Sequence, residues 1–342
     1  MIKPKRARIV DIAQESGVSV ATVHRVLNNH DVVRDITRER VEEAITRLNN
    51  HQQLVGGFNA SGEKLRFDFI MPAGAGISID KILFDIVADI SEKQGADYQY
   101  HFAERMNPQS FVDILYQVVE EGSKGIALFG IEHPSVRQAV DDLVDKGVPV
   151  VIVLSPMSQS KGVGFVGIDN RAAGRTAGYL MGRFLGRAQG KVAIIAGTRL
   201  YRSHEDREMG FRAVLREEFN HLEVLDVVLA EDESATNYSA ISDLLERHPD
   251  VIGLYNLGSG SEGAAKAMVE KGRAQDVMMI VHNRNELIRP YLVSGAVDVI
   301  LHVDLEQLAE IAIRTLIQAN NHHQVELSAL PFEIVLKENL LI

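Results

Sequence analysis

The chain has 342 residues, of which 46% are hydrophobic and 24% are charged, and its formal net charge at pH 7 is −11. A chain of this length holds two or three domains, and no stretch has the unbroken apolar run of a membrane span. The absence of cysteine excludes disulfides, thiol catalysis and thiolate zinc sites. The basic start leads into no apolar signal core, so we expect a protein that stays in the cytoplasm.

The charge is distributed unevenly along the chain. Residues 1–50 hold nine basic and seven acidic side chains, a balance of +2, so the remaining residues carry −13. A basic head on an acidic body predicts that any contact with phosphate lies in the head. The same charge is also consistent with a head whose terminal lysines and arginines serve only solubility.

Residues 1–50 have the periodicity of three short helices. The first carries Ile9, Ile12 and Ala13 on one face and is interrupted at Gly17. Ser19 is placed to cap the second helix, and Thr37 to cap the third. Apolar side chains recur at helical spacing on these two helices, at Val20, Val23, Val26, Leu27, Val41, Ala44, Ile45 and Leu48. Three such helices are expected to share one small core.

The first two helices have the layout of a helix-turn-helix, with residues 16–19 as the turn. If the valines of the second helix face inward, its outer face carries Ala21, Thr22, His24, Arg25 and Asn28. Arg25 can donate two hydrogen bonds to a guanine edge, and Ala21 can contact a thymine methyl group. The same periodicity also suits a three-helix module that binds protein, and that alternative stays open on the pattern alone.

Residues 51–65 have the composition of a linker, and residues 66–342 have the rhythm of an α/β body. Helical stretches such as 80–94, 135–146 and 172–185 separate ten short apolar runs. This alternation predicts two doubly wound parallel-sheet lobes with a ligand cleft at the carboxyl ends of their strands. We expect lobe 1 to span 66–168 and 302–328, and lobe 2 to span 169–301 and 329–342. The predicted strands are 67–71, 98–102, 125–129, 148–154, 163–168, 192–196, 224–229, 251–255, 277–281 and 297–301.

The head sequence IVDIAQESGVSVATVHRVLNNHDVV, followed by TRERVEEAITRL, resembles the headpiece of the LacI/GalR family of transcription regulators from Ile9 to Leu48 without a gap. The resemblance implies that Val20 and Ala21 occupy the main base-reading positions. His24 stands where the family usually has serine, which suggests a different operator preference. The implied DNA-contacting residues are Ser19, Val20, Ala21, Thr22, His24, Arg25, Asn28 and Thr37.

The linker departs from that family. Members usually have a tyrosine–proline segment there and a hinge helix whose leucine enters the minor groove. Here the segment reads NNHQQLVGGFNASGEK, with no proline and two adjacent glycines, which disfavour a helix. Leu54 and Phe58 are the candidates for an apolar wedge.

The body resembles the family's sugar-binding-protein-like core. GFVGIDNRAAGRTAGYLMGRFL is similar to the crossing between the lobes, and HEDREMGFRAVL is similar to the segment whose arginine, here Arg207, binds the effector. Without the resemblance, a surface salt bridge between Arg207 and Asp206 or Glu208 is the favoured interpretation. The resemblance implies a small polar effector, a sugar or polyol. The expected effector-binding residues are Asp80, Asp169, Asn170, Arg207, Asn256, Asn283 and Arg284.

Parts of the sequence are also compatible with two functions other than a regulator. The GxGxxG spacing of Gly258–Gly263 is that of a dinucleotide-binding loop, but the next strand ends at His282–Arg284 without the required acid. A nicotinamide-dependent enzyme is therefore disfavoured, and 204–206 is interpreted as a solvated loop segment. A solute-binding protein with a head that does not bind DNA is the other alternative.

The sequence therefore predicts a regulator of transcription with no cofactor, no metal, no membrane partner and no catalytic site. We expect a homodimer, because one headpiece covers half of a palindromic operator. Ligand closure of the cleft is expected to change operator affinity, with repression relieved by ligand as the working assumption.

Overall fold

The computed structural model of the chain describes residues 12–13, 16–27, 33–34, 36–38, 40–41, 44, 64–73, 83–88, 90, 96–321, 327 and 329–340. The chain forms two compact units, Met1–Leu65 with Ser91–Asp97, and Arg66–Ile90 with Tyr98–Ile342. Over these described ranges no helix is both long and apolar enough to cross a membrane.

The head is built around helix α1, Val20–Leu27. Gly17 has φ +67° in the turn before it, a left-handed conformation that favours glycine. The hydroxyl of Ser19 accepts a hydrogen bond from the backbone N–H of Thr22 at 3.2 Å, so Ser19 caps α1 as predicted. A small apolar core joins the described helical segments through Ile12, Ala13, Val23, Val26, Val41 and Ala44.

The third helical segment begins before Thr37, so the predicted cap at Thr37 is wrong. The carbonyl oxygen of Arg34 already accepts hydrogen bonds from the backbone N–H groups of Thr37, at 2.9 Å, and Arg38, at 3.1 Å. Thr37 thus lies inside the first turn, where its own N–H is paired within the helix.

The body alternates strands and helices, and the predicted fold class is confirmed. Its strands are β1 Arg66–Pro72, β2 Asp97–Ala103, β3 Ile126–Phe129, β4 Val150–Val153, β5 Gly164–Val166, β6 Gly190–Ala196, β7 Leu222–Val224, β8 Val228–Leu229, β9 Val251–Asn256, β10 Met278–His282, β11 Val299–Val303 and β12 Phe332–Val335. Its helices are α2 Pro108–Glu120, α3 Pro134–Asp145, α4 Asn170–Leu185, α5 Arg202–Glu218, α6 Ser234–Arg247, α7 Ser261–Glu270, α8 Arg289–Ser294 and α9 Leu305–Asn320. Residues 83–88 are also helical.

Two sheets define the two lobes. The sheet of lobe 1 has the order β2-β1-β3-β4-β5, and that of lobe 2 the order β12-β11-β10-β9-β6-β7, with β8 also paired to β6. Strands such as β4 and β10 are buried along their whole length because helices cover both faces of the sheet. This burial explains why continuous apolar runs identified these strands in the sequence.

The two differences from the predicted strands both occur beside or at a sheet edge. The run 224–229 forms two short strands, β7 and β8, each parallel to β6. Strand β12 was not predicted and runs antiparallel to β11. It is half-exposed and carries Glu333, so it has no apolar run to detect.

The chain crosses between the lobes near Ile168, Asp304 and Leu330. Ile168 and Leu330 form an isolated parallel bridge, and α9 returns to pack on β3, β4 and β5 of lobe 1. Asp304 caps α9, and Asp169 caps α4 by accepting the backbone N–H of Ala172 at 2.9 Å. Two crossings therefore lead directly into capped helices.

Candidate DNA-reading helix and ligand cavity

Helix α1 presents one apolar face to the head's core and another face to solvent. Val23 and Val26 are buried, whereas Arg25 is exposed and Val20 has 43% of its surface exposed. Thr22 is half-buried, and its hydroxyl pairs with that of Ser19 at 2.8 Å. An exposed arginine can pair with a guanine edge, and an exposed apolar side chain can contact a thymine methyl group, so both residues are available for base reading in a major groove.

Other predicted DNA-contacting residues lie wholly or partly outside the described part of the structure. Ala21 and His24 lie within α1, but their side chains are outside the described part of the structure, as is Asn28. The proposed wedge residues Leu54 and Phe58 also lie outside the described residues. Their roles stay predictions.

A cavity of about 60 Å³ lies between the two lobes of the body. It is bounded largely by residues at the carboxyl ends of strands, where ligands bind in doubly wound sheets. The lining residues of lobe 1 are Met71, Pro72, Phe129, Leu154 and Ile168. Those that follow in the chain are Tyr201, Ser203, His204, Arg207, Asp232, Gly258, Ser259, Asn283 and Val303.

Arg207 lies on α5 and is 8% exposed. Its Nε donates to Oδ1 of Asn170 at 2.8 Å, and its Nη1 donates to the carbonyl oxygen of Leu257. Burial is the main cause that lowers the pKa of Arg207 from its usual value. The alternative interpretation of Arg207 as a surface partner of Asp206 or Glu208 is wrong. Asp206 pairs with Arg202 at 3.6 Å, and Glu208 pairs with Arg212 at 2.7 Å.

Close packing of α4 on α5 places Arg207 beside Asn170. A Cβ atom at Gly174 would overlap the backbone of Arg207, and one at Gly210 would overlap the backbone of Arg171. The two glycines therefore allow the helices to approach closely enough for the Arg207–Asn170 hydrogen bond.

Asp232 is a cavity residue that sequence reasoning missed. It is 4% exposed, and both it and Glu231 have left-handed backbones, with φ +56° and +53°. Its Oδ1 accepts a hydrogen bond from the backbone N–H of Ser259 at 2.9 Å. A Cβ atom at Gly197 or Gly258 would overlap the carboxylate, so these glycines make room for it. Two glycines just past strand ends were the only sequence signal for this arrangement.

His204 also lines the cavity, and the interpretation of 204–206 as a solvated loop is wrong. The segment belongs to α5, and His204 is 6% exposed. Burial, with a smaller contribution from Arg207, lowers the pKa of His204, although nearby Asp232 acts in the opposite direction. Its Nδ1 has no hydrogen-bond partner among the described residues. The ring is therefore neutral near pH 7 and has an unused polar atom.

The other expected effector residues have different positions. Asn283 lines the cavity in a left-handed conformation, with φ +59°. Asn170 lies behind Arg207, and Asn256 is buried where it accepts the backbone N–H of Gly258 at 3.0 Å. Neither lines the cavity, nor do Asp169, which caps α4, and the exposed Arg284. Asp80 lies outside the described residues.

The glycines of the GxGxxG segment serve internal contacts. Gly260 has φ +74° at the start of α7, and a Cβ atom at Gly263 would overlap the backbone of Ser234. Gly258 faces the carboxylate of Asp232. A pyrophosphate at this loop would meet a buried negative charge, which is unfavourable.

Comparisons with known protein families match both parts of the chain. The description "Bacterial regulatory proteins, lacI family" matches residues 8–53, and "Periplasmic binding protein domain" matches residues 69–323. The chain is 24% identical to catabolite control protein A of Staphylococcus xylosus, covering 84% of this chain and 86% of the relative. It is 26% identical to the transcriptional regulator MalR of Clostridium butyricum, covering 77% and 78% respectively.

Two solved structures share the fold of the body. The glucose-galactose binding protein GanP of Geobacillus stearothermophilus has a TM-score of 0.75 at 19% identity, with 82% of this chain and all of that chain covered. A solute binding protein of Burkholderia graminis in complex with D-arabinose has a TM-score of 0.76 at 20% identity, with 81% and 97% covered. At these identities, the likeness establishes the fold alone.

The predicted head and body are both confirmed by these matches, and the relatives are regulators rather than enzymes. The exposed face of α1 and the cavity between the lobes are the two features that a ligand-controlled regulator needs, one for DNA and one for the ligand. The chain belongs to the periplasmic binding protein domain family, and its head carries a LacI-type DNA-binding domain, so the protein is a ligand-controlled transcription regulator.

Proposed function

We propose that this protein is a homodimeric repressor whose affinity for a palindromic operator is set by a small sugar-like ligand bound between the lobes of its body. The observation that carries the proposal is the cavity itself. It places a buried guanidinium, Arg207, and a buried carboxylate, Asp232, along one wall. Such a donor and acceptor pair suits adjacent hydroxyl groups on one molecule.

The head offers exposed basic side chains that can contact DNA. Arg25, Arg34 and Arg40 are exposed, so they are available to phosphates or base edges. The acidic charge of the rest of the chain disfavours DNA contact elsewhere. Because one head covers half of a two-fold symmetric site, the proposal includes a homodimer that acts in the cytoplasm.

The test begins with the purified full chain and a random duplex library, from which bound sequences are selected and sequenced. Enrichment of a palindrome supports the proposal, and fluorescence anisotropy then measures the affinity for it with and without monosaccharides. A regulator's specific affinity should fall steeply with salt concentration, since counterions are released from the phosphates. A library that yields no enriched sequence would contradict the operator-binding part.

A solute-binding role without DNA binding is the second candidate, favoured by the fold of the body alone. It predicts ligand binding but no selected operator.

The sign of control is tested separately, in a strain that carries a reporter gene behind the selected operator. Lower reporter expression when the protein is produced identifies a repressor, and higher expression identifies an activator.

A further inference from the structure

We propose that the cavity selects a small, uncharged ligand with hydrogen-bonding groups along one edge and an apolar methyl or methylene face on the other, such as a deoxy sugar. This inference rests on the proposed function, since it defines the chemistry of the ligand that the cleft would bind. The proposed ligand differs from an ordinary sugar, which carries hydroxyl groups on all sides.

The first observation is the contrast between the two walls. Every described lining residue that lobe 1 contributes is apolar, from Met71 and Pro72 on β1 to Phe129, Leu154 and Ile168. Lobe 2 contributes the described charged and amide side chains of the lining. Among the described residues, a ligand between the walls therefore meets hydrogen-bonding side chains on one side and hydrocarbon on the other.

The apolar wall penalises a hydroxyl group that points towards it. Such a group gives up its hydrogen bonds to water and finds no described side-chain partner on lobe 1. A methyl group in the same place gains by leaving water. Replacement of one hydroxyl by hydrogen on this side should therefore strengthen binding by about tenfold.

The second observation is the charge of the polar wall. It holds one cation, Arg207, and one anion, Asp232, while the pKa of His204 is lowered mainly by burial. The formal charges of the described wall residues therefore cancel. A charged ligand would leave one buried charge without compensation, so an uncharged ligand fits best.

The third observation is size. The cavity of about 60 Å³ is well below the roughly 300–1,000 Å³ of pockets that hold drug-sized molecules. Only a small molecule can occupy it while the lobes stay together.

Isothermal titration calorimetry of the full chain with matched pairs of probes tests the inference. The pairs are D-fucose with D-galactose, L-rhamnose with L-mannose, and 1,2-propanediol with glycerol, and D-galacturonate serves as a charged probe. At least one deoxy member should bind about tenfold more tightly than its parent. Tighter binding of every parent, tightest binding of galacturonate, or no binding by any uncharged probe would overturn the inference.

A variant of the apolar wall makes the test independent of folding defects. Leu154 has φ +62°, a left-handed conformation that asparagine tolerates better than leucine. Leu154→Asn should therefore keep this backbone conformation while it adds an amide to lobe 1, and it should shift the preference of the bound pair towards the parent. An unchanged preference in Leu154→Asn would count against the wall as its cause.

The DNA selection described above separates this inference from the proposed function. An enriched operator together with a preference for parent sugars would leave the regulator intact and overturn only the amphipathic ligand. A preference for the deoxy sugars without an enriched operator would support the amphipathic ligand and overturn the operator-binding part of the proposed function.

Discussion

Arg105 of lobe 1 and Glu233 of lobe 2 join the two lobes, with Nη2 of Arg105 3.0 Å from Oε1 of Glu233. The same guanidinium donates to the carbonyl oxygens of Ala73, on its own lobe, and Glu231. Glu231 and Glu233 flank Asp232, the buried carboxylate of the cavity. One arginine of lobe 1 therefore contacts, across the cleft, both chain neighbours of a proposed ligand-binding group.

Replacement of Arg105 by alanine should favour separation of the lobes and weaken ligand binding several-fold, because the segment around Asp232 loses its partner across the cleft. Arg105 is largely buried but Glu233 is exposed, and an ion pair open to solvent on one side contributes on the order of 1 kcal/mol, so the chain should still fold. Small-angle X-ray scattering without ligand should give a larger radius of gyration than for the native chain. Arg175→Ala, which breaks the Arg175–Glu217 pair within lobe 2, is the matched control. Equal scattering from both variants would contradict the role of Arg105.

Gly258→Ala should abolish ligand binding, because the added Cβ would overlap the carboxylate of Asp232. Gly272→Ala is the control, since Gly272 has φ +67° but no heavy atom near its Cβ position. That control should lose about 1 kcal/mol of stability from backbone strain and keep its ligand affinity. Titration calorimetry with the best deoxy probe, alongside urea unfolding, measures both effects. Normal ligand affinity in Gly258→Ala would show that ligand binding does not depend on the position of Asp232.

Arg207→Ala should lower the free energy of unfolding by about 2–4 kcal/mol and remove ligand binding. The substitution leaves the buried oxygens of Asn170 and Leu257 without their donor. Arg216→Ala, on the exposed end of the same helix, should change stability by about 0.5 kcal/mol or less. Urea unfolding of the two variants gives the comparison. If Arg207→Ala were as stable as Arg216→Ala, the buried hydrogen bonds would not carry the expected weight.

Stability should decline as the pH falls below about 6.5, because three buried histidines favour the neutral form. Burial lowers the pKa of His204 and His282, and lowers that of His302 to about 4. Below the unfolded pKa, the unfolded chain binds more protons than the folded chain, so the stabilising contribution is lost as pH falls towards the folded values. Each histidine adds up to about 1.4 kcal/mol per pH unit to the slope of the free energy of unfolding against pH. Urea unfolding between pH 7 and 5 should show this slope, and His302→Gln should reduce it; an equal slope in His302→Gln would contradict the assignment to His302.

The regular elements of the body could be predicted from the sequence because their strands are buried on both faces. Runs such as 150–153 have no polar residue to interrupt them, and the intervening helices have one apolar face. The edge strand β12 is half-exposed, so its pairing depends on the neighbouring β11 rather than on its own pattern. The strand prediction therefore failed at the edges of the lobe 2 sheet, whereas the edge strands β2 and β5 of lobe 1 were predicted.

The ligand cavity could be predicted only in part. Arg207 was identified through its place in a motif of the family, whereas Asp232 owes its position to two left-handed residues and to facing glycines far away in the chain. His204 precedes Arg207 by one helical turn, so both side chains point from α5 towards the cavity. A helical interpretation of 202–218 would have found His204 from that spacing, and the loop interpretation hid it.

Arg25→Ala should weaken binding to the selected operator by about 1–3 kcal/mol and relax the sequence requirement at one base pair in each half-site. Arg25 is exposed and is not part of the apolar core of the head, so the substitution should leave the stability of the head unchanged. Arg40→Ala removes another exposed arginine of the head, one proposed to contact phosphate. It should weaken binding to all duplexes about equally and reduce the salt slope by about one unit. Anisotropy titrations against the operator and single-base variants distinguish the two arginines. If both variants lost affinity equally for every duplex, Arg25 would be a phosphate contact, and base reading would have to come from Val20 and its neighbours on α1.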